Sequence, residues 1–372
     1  MVHDHAASDV VVIGGGPAGL ATAIGLRRAG MTVRVVERAH APIDKVCGEG
    51  LMPDGAAALA RLGIAIPITR AIQFRGIRFI DGDRAVEGSF PDGCGVGIRR
   101  TALHQILADH ALQAGVAISW GTKVSGLTSG GVQLDGRTLS CQWIVGADGQ
   151  NSMVRKWTGL NNVGCERIRF GHRRHYKAIP WTDFVEVYWG DNFQIVVTPV
   201  ESRLVCAAMV SSNPRLRLED ALALLPVLSL RLAGAQVATS EQGAISVLRV
   251  VNTVFSGRVA LVGDASGSVE SLTGQGLSLG FKQASSLARA IADGNLSRYA
   301  IEHRKIARLP NLMSHLLLAM DRHAALRKMV VRVLASRPRL FSHLLRVHVG
   351  TAVPAEWYPG RRLGLGWQAF TH

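Results

Sequence analysis

Four short, largely apolar runs recur along the chain at Val10–Ile13, Thr32–Val36, Cys141–Val145 and Val259–Val262. Runs of this length, rich in β-branched residues and bounded by glycine, read as strands covered on both faces, the habit of a parallel sheet. Small and apolar residues at helical spacing fill Pro17–Ala29 and stop at Gly30, so the first two strands form a parallel βαβ unit. Helical patterns follow near Pro53–Leu62, from Arg99-Arg100-Thr101 through Ala114, over Asn151–Trp157 and up to about Ala292. Strict alternation appears instead over Arg70–Asp92, where Ile77, Phe79 and Ile80 stand among charges around an Asp81-Gly82 turn, which predicts a β-hairpin. Short strands are expected at Gly95–Ile98, Val116–Trp120 and Val132–Leu134.

From about Cys165 the pattern changes. Val185–Trp189, Gln194–Thr198, Leu204–Val210 and Ala244–Val250 read as an antiparallel sheet, with Leu216–Leu232 as one amphipathic helix. Ile301–Gly350 is helical and basic, with apolar clusters at Leu316-Leu317-Leu318 and Met329-Val330-Val331. The expected organisation is an α/β lobe over 1–70, 95–164 and 252–300, a β-sheet substrate lobe over 71–94 and 165–251, and a C-terminal helical segment over 301–372.

Glycine and acid punctuate the buried strands. After the first come Gly14, Gly16 and Gly19 at G-x-G-x-x-G spacing, with Pro17 and Ala18 opening a helix. The first glycine permits a tight turn, the second lets backbone approach a pyrophosphate, and the third lets helix pack on strand. The helix N-terminus then offers unpaired N–H groups to the phosphates. Glu37, ending the second strand, is placed to hold ribose hydroxyls. The third strand ends in Asp148-Gly149 and the fourth in Gly263-Asp264, continued by Leu272-Thr273-Gly274-Gln275-Gly276. Between strand two and the next helix lies a glycine-broken loop, Asp44–Pro53, with Cys47, Gly48 and Glu49.

The net charge of +15 raises the question of nucleic acid. The cations are dispersed arginines without interleaved aromatics, so the expectation is a basic surface for anionic cofactors or lipid headgroups and no nucleic-acid partner. The five cysteines are scattered without metal-ligand spacing, so no metal or disulfide framework is expected. With no basic-then-apolar leader and no run long enough to span a bilayer, the expected setting is cytoplasmic.

Taken in order, these motifs resemble the flavoprotein superfamily of para-hydroxybenzoate hydroxylase-type monooxygenases, flavin halogenases and geranylgeranyl reductases. The resemblance implies a Rossmann-like FAD-binding domain of the three-layer, glutathione reductase type. It implies FAD contacts at Gly14, Gly16, Pro17, Ala18, Gly19, Glu37, Arg38, Cys47, Gly48, Arg100, Val124, Asp148, Gly149, Gly263, Asp264, Gly274, Gln275, Gly276 and Leu277. Within it, Arg100 matches the pyrophosphate arginine and Asp264 the acid on the ribityl chain. The late motif and the Cys47 loop look more like the reductases, yet the aromatic lipid motif of that branch is absent from Gln194–Pro199. The implied function is an FAD-dependent monooxygenase of a hydrophobic or aromatic secondary metabolite, working through a flavin C4a-hydroperoxide with NAD(P)H as transient reductant. The alternative is a flavin reductase of carbon–carbon double bonds in an isoprenoid or polyketide, with Cys47 or Glu49 supplying a proton. Arg173, Arg174, His175 and Tyr176 are candidate substrate contacts, and the basic C-terminal helices a candidate membrane-surface contact.

Overall fold

A computed structural model describes residues 8–134, 136–161 and 163–350. Ser8–Ile13 lies at the centre of the first sheet, hydrogen-bonded in parallel to Val33–Val36 on one side and Arg137–Gly146 on the other. Val259–Leu261 and Ala117–Ser119 extend the parallel ladder at its two ends. A meander of Val124–Leu127, Gly131–Leu134 and Arg137–Gly146 supplies an antiparallel layer, and the helices Pro17–Arg28, Arg100–Gln113 and Gly276–Ala292 supply another. This is the expected three-layer arrangement. Val10, Val12, Leu20, Leu26, Leu103, Phe281 and Leu287 are buried together in its main core.

The second sheet has nine strands, and its centre is the fifteen-residue strand Val163–Lys177 between Gln242–Val251 and Leu204–Ser211. Phe193–Glu201 and Phe184–Trp189 continue it to Gly76–Asp81 and Arg84–Ser89, the hairpin read from the sequence. Leu216–Leu232 is not one helix. It is two, Leu218–Ala223 and Pro226–Leu232, because Pro226 has no N–H to continue the first and instead opens the second.

The C-terminal segment forms helices Leu296–Arg322, Ala324–Ser336 and Pro338–His348; the remainder of the expected segment, 351–372, lies outside the described residues. Their inner faces join Met52, Phe74, Val187, Trp189 and Val331 in one apolar cluster. No described helix is long and apolar enough to cross a membrane.

Candidate active site

The glycines of the first motif divide by what surrounds them. Gly14 has φ +113°, and a Cβ there would stand 2.3 Å from the Ala147 carbonyl oxygen. At Gly19 a Cβ would stand 2.0 Å from the Gly14 oxygen, whereas at Gly16 nothing lies within 4 Å. Two positions are therefore glycine for packing, and Gly16 leaves open space in front of the helix N-terminus. Glu37 is a brace as well as a ligand candidate, since its carboxylate accepts from Gly15 N–H at 2.7 Å and Ala39 N–H at 2.8 Å. Arg38 beside it is exposed, and Val124 packs against the cluster around Val11 and Ile13. The sequence reading missed His104 and Trp120, whose rings are 5.7 Å apart, with His104 Nε2 2.9 Å from the Gly15 oxygen.

Arg100 opens its helix buried, and its Nη1 has no protein partner. Burial lowers the guanidinium pKa, an effect opposed by Cys47 and by the Asp264 carboxylate. Burial also works to raise the Asp264 pKa but is outweighed by Lys45, whose Nζ is 2.8 Å from Oδ2, and by Arg100. Asp148 spends one oxygen on the N–H groups of Met153 and Val154, fixing the loop after its strand, while its buried Oδ1 stays unpartnered. Gln275, immediately before the Gly276–Ala292 helix, buries both amide atoms without a protein partner. Gly274 takes φ +65°, with Leu277 and Gly276 in the first turn that follows.

Glu49 is a buried acid held on every side. It holds φ +58°, a left-handed backbone that costs a non-glycine residue roughly 1–2 kcal/mol. Strain of this kind concentrates where surrounding bonds over-determine the residue. Here Oε1 accepts from Arg100 N–H at 2.9 Å and Arg173 Nη1 at 3.2 Å, and Oε2 lies 2.7 Å from His175 Nε2. His175 Nδ1 meets Thr239 Oγ1 at 2.9 Å, and Arg173 also grips Asp44 through both nitrogens, at 2.9 and 2.8 Å. Cys47 Sγ accepts from Glu49 N–H at 3.2 Å, and burial pushes its thiol pKa up. Glu49, His175 and Cys206 bring ligand-type atoms within 4.8 Å, but the direct Glu49–His175 bond and the Arg173 cation already occupy the acid.

The substrate candidates split by strand parity. Arg173 and His175 point at the Asp44–Glu49 loop, while Arg169, further along the same face of the strand, meets Glu270 at 3.3 Å. Arg174 and Tyr176 lie on the opposite face: Arg174 pairs with Glu241 at 3.1 Å, and Tyr176 is buried with Tyr188, Leu218 and Leu228. Arg174 and Tyr176 thus lie away from the Asp44–Glu49 loop, because alternate residues of a strand face opposite sides.

The open space at Gly16, the unpartnered Arg100 Nη1 and Asp148 Oδ1, and the unsatisfied Gln275 amide fit an extended ligand carrying phosphates at one end and a polar-edged ring at the other. Residues 7–295 match the family described as the FAD binding domain. The chain belongs to that family. It is an FAD-dependent oxidoreductase, and hydroxylases and reductases both occur among its relatives. Menaquinone reductase of Mycolicibacterium smegmatis is 30% identical over 326 residues, covering 79% of this chain and 78% of the reductase. The 6-methylpretetramide 4-monooxygenase of Streptomyces rimosus is 28% identical over 320 residues, 76% of this chain and 55% of that enzyme. In fold, a flavoprotein/dehydrogenase of Cytophaga hutchinsonii superposes with a TM-score of 0.80 at 19% identity, over 92% of this chain and 93% of its own.

Proposed function

We propose that this chain is a monooxygenase that hydroxylates an apolar, ionisable aromatic or polyketide-like molecule, with NAD(P)H as transient reductant. The carrying observation is the Glu49–His175 pair behind the Cys47 loop. Glu49 accepts from the Arg100 N–H and Arg173 Nη1 and meets His175 Nε2, which is linked on to Thr239 Oγ1, so the pair belongs to a hydrogen-bonded chain able to relay a substrate proton. A ring hydroxyl that loses its proton to such a network becomes more electron-rich and more readily attacked.

Bound FAD would supply the redox chemistry: two electrons from the reductant and O₂, with one oxygen atom going to the substrate and the other leaving as water. The chain's own residues do the rest. Arg100 and the N–H groups at Gly16 neutralise the pyrophosphate, Glu37 and Asp264 take sugar and ribityl hydroxyls, and the Gln275 amide meets the polar edge of the ring. Amides at the start of the Gly276 helix favour negative charge there. Met52, Val196, Leu272 and Leu317 would supply an apolar wall that excludes water.

Reduction of a carbon–carbon double bond is a second reading, favoured by the likeness to menaquinone reductase; the same network would then return a proton to the substrate. Turnover under ¹⁸O₂ separates the two. Hydroxylation puts one labelled oxygen in each product and consumes O₂ in step with NAD(P)H; an unlabelled product gaining two hydrogens in the absence of O₂ overturns the monooxygenase reading.

A further inference from the structure

The helices Leu296–Arg322, Ala324–Ser336 and Pro338–His348 concentrate the protein's charge. Residues 296–348 hold eleven Lys/Arg against two Asp/Glu, so nine of the chain's fifteen net positive charges sit there. Of the two acids, one offsets an outward cation and the other is withdrawn from the surface. Asp321 is buried, close to Arg169, and Glu302 is paired with Lys305 at 2.9 Å. Only Arg327 among the cations is drawn fully inward, onto Asp81 and Asp191.

The outward cations alternate with exposed apolar side chains. Along the first helix Ile301, Arg304, Lys305, Arg308, Leu312 and Leu316 are all exposed and recur at three- and four-residue intervals, one continuous stripe. Leu312 is 60% and Ile301 55% exposed, far more than a core residue of this type allows. The second helix repeats the pattern with Lys328, Met329 and Arg332. The inner faces of these helices contribute Leu317, Val330 and Phe341 to the apolar cluster that also contains Met52 and Leu272, next to the flavin-binding loops.

We propose that this helical face docks on an anionic lipid surface, lying in the headgroup plane with the Arg304–Arg308 cations on lipid phosphates and Leu312 and Leu316 in the acyl boundary. Cations alone would suit any polyanion. Their interleaving with large exposed aliphatics is what a lipid interface rewards and a nucleic-acid backbone does not. The helices are too polar to span a bilayer, so they lie on it. An apolar substrate dissolved in the membrane would then meet the apolar cluster directly, and the inference stands whichever reaction the flavin supports.

The test is co-sedimentation of the full, FAD-loaded chain with vesicles of phosphatidylcholine, with and without phosphatidylglycerol. Binding is expected to the anionic vesicles only, and to weaken about a hundredfold in the combined variant Arg304→Gln, Lys305→Gln, Arg308→Gln, at roughly fivefold per cation. Bound-flavin absorbance should not change, which separates lost docking from lost folding. Leu312→Ser with Leu316→Ser should remove the binding that survives high salt. No binding to anionic vesicles, equal binding to neutral ones, or an unaffected charge variant overturns the proposal. So does tighter binding to duplex DNA that is indifferent to both leucines.

Discussion

Replacing Glu49 by glutamine keeps the side chain's shape and removes its charge, so it isolates what the carboxylate does. The amide oxygen still accepts from Arg100 N–H, and Arg173 keeps its two-pronged grip on Asp44 and its 2.6 Å contact with Gln242. The charged bonds to Arg173 and His175 are lost. A hydrogen bond to a charged group is worth about 1.5–3 kcal/mol, and breaking a buried pair outright costs 3–5 kcal/mol. With Asp44 still neutralising Arg173, the lower range applies, and a loss of about 2 kcal/mol is expected in urea unfolding of the flavin-loaded protein at unchanged slope. The catalytic effect should be larger. A positioned group that takes part in proton transfer contributes about 10²–10⁴-fold, so kcat should fall by at least about a hundredfold. The double replacement with His175→Asn should cost less than the sum of the singles, because the two act as one unit. Stability within about 0.5 kcal/mol of the parent, with kcat unmoved, would refute a role for Glu49 in the proton relay.

Three further outcomes follow from single positions. Gly16→Ala should give a folded protein that purifies colourless, because its Cβ meets only the space the pyrophosphate needs; Gly14→Ala should compromise folding itself, since its Cβ collides with the Ala147 carbonyl. Visible absorbance and far-ultraviolet circular dichroism read the two apart, and matching behaviour would sink the distinction. Arg100→Met should weaken FAD binding roughly 10- to 150-fold, the equivalent of one charge-assisted contact, measured by flavin fluorescence titration. His303, buried against Ser266 and Tyr299, has its pKa lowered to about 4 by burial and by Arg304. A lowered histidine pKa means the unfolded chain binds the extra proton first. Stability should therefore be complete above the ordinary histidine pKa near 6.5 and fall as pH drops from there toward 4, by roughly 3 kcal/mol at most. His303→Asn should remove that share of the slope, and an identical slope in the variant would contradict it.

What was legible in the chain is what local chemistry determines. Buried strands bounded by glycine, the hairpin at Asp81-Gly82 and the helix opened by Pro53 stand where the pattern predicts them. The division of Leu216–Leu232 was legible too, since Pro226 is a helix-opening signal, but periodicity alone overrode it. The partners of the site were not. Lys45 meets Asp264 across 219 residues, and Arg173 meets Glu49 across 124. No spacing rule connects such positions. Trp120 and His104 were equally silent, a lone aromatic at a strand end and a histidine on an apolar helix face, each given meaning only by Gly15.

Strand parity decides which residues of Val163–Lys177 meet the Asp44–Glu49 loop. A slip of one residue would exchange Arg173 and His175 for Arg174 and Tyr176, putting a phenol in place of the imidazole that meets Glu49. Further along the same face Arg169 meets Glu270 at 3.3 Å, Asp321 at 3.5 Å and Gln194 at 2.9 Å. Burial raises the Glu270 pKa, which Arg169 opposes, so one guanidinium serves two buried acids. Buried charges of this kind add little net stability but are intolerant of mispairing. Both ligand-binding loops, Asp44–Glu49 and the one following Asp264, are thus tied to a single row of cations on one strand. The backbone ladders to Leu204–Ser211 and Gln242–Val251 fix the strand's register, and the buried charge pairs add a penalty to any slip.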